Sequence, residues 1–346
     1  MAYTTIPKPT DYFNTKLYSG NGGTQTITGV SFEPDWTWIK NRNAGEHHVL
    51  TDVVRGANKQ LRTNGNAAQG TLTTQLTGFT SDGFSVGAGS EVNNGSQTYA
   101  SWNWKANGQG SSNTAGTINS TYTSANTTSG FSIVQYTGNA SQAQTVGHGL
   151  GVAPKLIIFK SLTTTDDWSV CCPSVLGVDG RLTLNSSAAN SVGDNTFWNS
   201  TAPSSTLFSL GNNSRANASG KTIIAYCFAE VKGFSNVGSY IGNGSASGTF
   251  VYTGFKPAFV MFKKSSGTDN WRIIDNKRLG YNPNNAFLFP NITQAESNLT
   301  RIDLVSNGFK LRTTDAGDNA NGQTYIYMAF AEEPLVGSNN VPANAR

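Results

Sequence analysis

The chain has 346 residues and is rich in Gly, Thr, Ser and Asn, with 11% aromatic and only 13% charged residues. Soluble domains usually carry about 25% charged residues, so core material is present but ions are scarce. The net charge of +4 comes from 24 basic and 20 acidic residues scattered along the sequence, which excludes a basic nucleic-acid face and implies no long-range electrostatic partner.

In chain order, residues 1–11 read as an N-terminal arm, and because the segment from Met1 to Thr10 lacks an apolar signal region and a cleavage site the chain is expected to be made and kept in a cytoplasm. Three copies of one unit follow. Each opens with Tyr18-Ser-Gly-Asn21, Tyr136-Thr-Gly-Asn139 or Tyr240-Ile-Gly-Asn243, and reaches Pro34, Pro154 or Pro257 after 16, 18 or 17 residues. Six residues beyond each proline stands Lys40, Lys160 or Lys263, closing the apolar runs 36–39, 156–159 and 259–262. Eight residues later the second and third copies place Trp168 and Trp271, where the first has His48. Phe84, Phe208 and Phe309 then align, followed by Thr98, Thr222 and Thr324 and, six residues further on, by Trp104, Phe228 and Phe330.

These patterns predict strands. Runs such as 98–104 and 324–330 have the length of one strand and lie between Gly/Asn clusters. A proline before the Leu156 and Phe259 runs starts a strand without breaking its ladder. Ser81-Asp-Gly83 and Ser306-Asn-Gly308 read as tight hairpin turns that use the positive φ of Asp-Gly and Asn-Gly. No segment holds a sustained 3.6-residue period, and no apolar run approaches the roughly 20 residues of a membrane helix. The expected fold is all-β: three tandem antiparallel β-sandwich, jelly-roll-like domains at 12–106, 129–234 and 235–336. Residues 107–128 have a linker's composition, and 337–346 form a C-terminal tail.

The chemical signals are sparse. Gly220-Lys-Thr222 lacks the earlier glycine of a phosphate loop, and the other copies read Ser96-Gln-Thr98 and Gly322-Gln-Thr324, so it is a turn. His47-His48 lacks further ligands at metal spacing, and His148 reads as a turn residue. Asp315, Asp318 and Asn321 form the weak alternative for a cation, in a segment that departs from the calcium-loop pattern. Glycan hydrolysis would need two facing carboxylates, for which Asp166, Asp167, Asp269, Asp275, Glu332 and Glu333 are the candidates. No nucleophile and base are paired by spacing, so neither a catalytic residue nor a cofactor is expected. Cys171, Cys172 and Cys227 read as buried thiols. Most of the seven tryptophans sit inside strand patterns and read as core, and Trp198, in a turn-like stretch, is the one expected at the surface as a binding aromatic.

The stretches Asp11–Tyr18, Thr98–Ala106, Gly147–Lys155 and Tyr325–Glu332 resemble a repeat in structural proteins of marine tailed bacteriophages, including cyanophages, over about residues 11–334. The resemblance implies a non-enzymatic component of the virion surface, assembled in the host cytoplasm. A tail-fibre or appendage role in adsorption is the first expectation and capsid decoration the alternative, with a glycan hydrolase a distant third. The partners implied are other virion proteins and host-surface glycans or a receptor, with no nucleic acid and no membrane insertion. A homotrimer is left open, since symmetric assembly is the rule for particle components.

Overall fold

Apolar strands that do not alternate need cover on both faces. In the computed structural model, which describes residues 3–336, they have it. The tail at 337–346 and the first two residues of the arm lie outside the described residues.

The chain is all-β, and each copy builds two antiparallel sheets, unequal in the first two copies and of four strands each in the third; the sheet that carries the repeat lysine is called the large sheet below. In the first copy the large sheet runs Phe13–Ser19, Thr98–Trp104, Trp36–Asn41, Val49–Asp52, Lys59–Arg62 and Gly70–Thr71. The second copy repeats this order with Phe131–Thr137, Thr222–Phe228, Leu156–Ser161, Ser169–Cys171 and Leu182–Thr183, and the third with Ser235–Ile241, Thr324–Pro334, Phe255–Lys264 and Arg272–Asp275. The register matches too: Trp36 pairs with Trp104, Leu156 with Phe228 and Phe259 with Phe330. The three prolines therefore occupy corresponding places, two residues before these pairs. Pro34 and Pro154 precede their strands, whereas Pro257 lies inside the ten-residue strand Phe255–Lys264, where the ladder is interrupted by bulges.

One face of each large sheet covers its own small sheet. In the first copy Ile39, Val49 and Tyr99 meet Ile27, Leu76, Phe84 and Val86, and Phe159, Ile223 and Cys227 meet Val146 and Phe208 in the second. The other face turns to a core shared by all three copies. There Trp36 lies 4.4 Å from Trp104 and 5.7 Å from Phe228 between ring centroids, Trp104 lies 5.5 Å from Phe330, and Phe228 lies 6.0 Å from Phe330. The paired residues of the three registers thus meet at one centre, and the copies are fused rather than strung as beads. Aromatic burial of this kind supplies the largest share of apolar area per residue.

The repeated opening of each copy has a mechanical role. Tyr18, Tyr136 and Tyr240 donate their hydroxyls to the carbonyls of Val92, Ala216 and Asp318, in the one-turn helices Ser90–Asn93, Ser214–Asn217 and Ala316–Asn319. The last residue of each helix, Asn93, Asn217 or Asn319, is fully buried and accepts the backbone N–H of Asn21, Asn139 or Asn243. A Cβ on Gly20, Gly138 or Gly242 would meet the carbonyl oxygen of Asn94, Ala218 or Ala320 at 2.1, 2.5 or 2.3 Å, so only glycine fits. Such helices are too short to leave a periodic signature.

Three expectations are corrected. Residues 107–128 are not a free linker: Asp35 accepts the N–H groups of Ala106 and Gly108, Ile118 is buried, and Ser120–Asn126 adds an edge strand to the second copy's sheet by pairing with Phe131–Thr137. Ser81-Asp82 and Ser306-Asn307 do turn hairpins, but these turn residues have no positive φ, and of the two glycines that follow only Gly83 does, at +154°. Gly83 and Gly308 are needed instead because a Cβ would lie 1.9 Å from the Ile27 carbonyl oxygen and 2.0 Å from that of Val251 in the adjoining strand. Trp198 is buried, at the end of the short helix Asn195–Trp198, its ring tilted against Phe159 at 4.7 Å and its indole N–H donating to the Gly180 carbonyl. No described helix is long and apolar enough to cross a membrane.

Candidate functional site

Three seams join the copies, and corresponding groups build each of them. The backbone N–H of Gln69 donates to Leu162 across the first seam, that of Asn190 to Ser265 across the second, and that of Glu296 to Arg42 across the third, at 3.0, 2.8 and 2.8 Å. The ring of copies therefore closes on itself. Side chains repeat the pattern: Trp168 donates its indole N–H to the Arg62 carbonyl of the first copy, and Trp271 donates to Thr183 of the second. His48 takes the corresponding place in the first copy. Its Nδ1 accepts from Trp38, which leaves Nε2 for the Phe289 carbonyl of the third copy, and the smaller ring approaches without reaching full hydrogen-bond geometry. Burial pushes His48 well below the usual imidazole range, so it stays neutral. His47 bonds Asn64, and His148 holds its own turn through Leu150 and Ser204.

Beneath two seams lies a buried ion pair. Tyr226 of the second copy donates to Asp52 of the first at 2.7 Å, and Trp102 of the first donates to Asp275 of the third at 3.0 Å. Arg55 and Arg278 neutralise these aspartates from three residues further on, at 2.5 and 2.6 Å, and reach back to the carbonyls of Leu50 and Ile273. Burial holds the Tyr226 hydroxyl well above its ordinary pKa, so it remains a donor. These groups are legible in the sequence only in part: Asp52-x-x-Arg55 and Asp275-x-x-Arg278 each begin 12 residues after the repeat lysine, while nothing in that spacing marks their partners in the neighbouring copy.

The three lysines are internal clamps. Lys40 donates to the carbonyls of Asn41 and Ala44, Lys160 to Ser161 and Thr164, and Lys263 to Lys264 and Gly267. With carbonyls as their bonded partners, burial lowers all three to about 8. Lys160 also reaches the Asn66 carbonyl of the first copy.

The carboxylates do not gather. Asp166 accepts from Thr164, Asp167 pairs with Arg215, Asp269 with Arg272, Asp275 with Arg278 and Glu332 with Lys256. The weak cation alternative is overturned by the same chemistry. Arg272 lies 2.6 Å from Asp318, and Arg301 lies 2.6 Å from Asp315 and 3.1 Å from Asp318, so guanidinium groups take the place of a metal. Burial raises Asp318 to about 6 against their pull, and Asp315 is held low by Arg301. Asn321 stands apart, exposed beside the Gly244 turn. Among the described residues no group of three His, Cys, Asp or Glu could hold a metal ion.

An accessible cleft of about 400 Å³ lies between the first and second copies, its lining including Gln69, Gln109, Tyr122, Gln135, Thr163 and Thr222. Arg55 reaches its floor with its guanidinium already committed to Asp52. Gln109 and Tyr122 come from the connection expected to be a linker, and no spacing in the sequence marked them.

A family described as domain of unknown function DUF7483 matches residues 8–334. The chain belongs to this family. The DUF7483 match thus spans all three copies and both the seams and the cleft described above. No curated protein and no solved structure matches the chain.

Proposed function

We propose that this DUF7483 protein is a non-enzymatic structural component of a bacteriophage virion surface, an appendage module that takes part in host adsorption. The observation that carries the reading is the closed ring: one chain arranges three related sandwiches around a common aromatic centre. A fused ring is a rigid platform on which surface loops can carry binding, the usual division between scaffold and function. Five of the six candidate carboxylates and all three buried lysines are spent on structural partners, and the sixth, Glu333, stands exposed at the surface, which supports a non-catalytic role. Because one chain already supplies the threefold arrangement, it would seat as a single copy on a threefold-symmetric partner. The same property favours capsid decoration at a threefold shell position as the second reading.

Electron microscopy of virions labelled with antibody against the chain tests both. Label on tail or fibres is the expected result. Label over the head would select decoration, and particles without label would overturn the virion reading.

A further inference from the structure

The three seams are built alike, yet they end differently at the surface. At the seam of the third and first copies the position of Gln69 is held by Glu296 and that of Leu162 by Arg42, and the two close the space with a bidentate ion pair at 2.8 and 2.9 Å, joined by Arg278. The seam of the first and second copies has no such pair, and the space stays open as the 400 Å³ cleft. That is within the range of small-molecule sites.

The lining defines what would fill it. Among the described residues, the side chains of Gln109, Tyr122, Gln135, Thr163 and Thr222 make no hydrogen bond inside the protein, and Gln69 accepts only a long 3.4 Å contact from Arg55. Amides and hydroxyls offer both donors and acceptors, the complement of a polyhydroxylated ligand. Tyr122, packed partly against the core, adds an aromatic ring with a polar tip. The one charged group, Arg55, is fully engaged by Asp52 and by the carbonyls of Leu50 and Lys59, so the cleft has no free charge to bind an anion or a cation. Two of the six groups are delivered by residues 107–128, a connection that lengthens this seam alone.

We infer that the cleft between the first and second copies is a binding site for a neutral saccharide. The inference deepens the adsorption reading by naming its ligand class, and the two can fail separately, because sugar binding is measured on the isolated full chain and particle location on virions.

The test is saturation-transfer NMR of the intact chain with glucose, galactose, N-acetylglucosamine and maltose as neutral probes and sialic acid as an anionic one. A Gln135→Ala/Thr163→Val variant accompanies it, since both side chains line the cleft without taking part in seam closure. Transfer to at least one neutral sugar is expected, weakened roughly tenfold or more in the variant as two hydrogen bonds are lost. The variant's melting temperature should stay close to that of the parent, which separates lost binding from lost fold. No transfer to any neutral probe at about 50 mM, well above millimolar dissociation constants, would overturn the inference. So would transfer unchanged in the variant, or transfer to sialic acid alone.

Discussion

At the seam of the first and second copies a buried aspartate, Asp52, accepts a hydroxyl from the neighbouring copy and an arginine from its own; at the seam of the second and third copies the corresponding positions hold Cys172, Val175 and Met328, all apolar and within or against the shared core. The backbone bond and the tryptophan bond across the two seams are nevertheless the same. Ring geometry is therefore set by sheet packing and the repeated seam bonds. The ion pairs are an addition that one seam does without, in keeping with the near-balance between desolvation and attraction for buried pairs.

That comparison can be broken most strongly by Asp52→Ala. It strands the Arg55 guanidinium without an acidic partner, for an expected loss of about 3–5 kcal/mol, whereas Cys172→Ala at the apolar seam should cost about 1 kcal/mol. Denaturant unfolding of both variants checks the contrast, and equal losses would contradict it. Tyr226→Phe is the next effect down. It removes one donor from Asp52 while Arg55 remains, for an expected cost of about 1–3 kcal/mol.

The smallest effect concerns pH. The repeat lysines have folded pKa values lowered to about 8, so from pH 8 upward the folded state releases protons that the unfolded state keeps to about 10.4. Stability then rises with pH. Above about pH 9 the buried thiols Cys171, Cys172 and Cys227, held high by burial, act in the opposite sense, because the unfolded thiols ionise first. A melting temperature that increases from pH 8 to 9 and then levels is expected. A steady fall across that interval would contradict the assignment.

Much of this architecture was legible in the sequence for a physical reason. Offsets such as proline to lysine survive because strand length and register are fixed by the sheets they build. Apolar runs such as 156–159 signalled strands, although which surfaces cover their two faces is a matter of tertiary packing. Trp198 misled because a turn-like neighbourhood says nothing of the direction of the ring. Residues 107–128 misled because an edge strand beside Gly/Ser-rich turns needs few apolar residues. The cleft was invisible for a related reason: its groups come from two copies and a connection, and only ring closure brings them together.

The central claim is that three sequence copies form one cooperative body around a shared core. Differential scanning calorimetry of the full chain tests it most directly. A single transition whose calorimetric and van't Hoff enthalpies agree is predicted; two or three resolved transitions, each of a size suited to about one third of the chain, would show that the copies melt as separate domains and would contradict it.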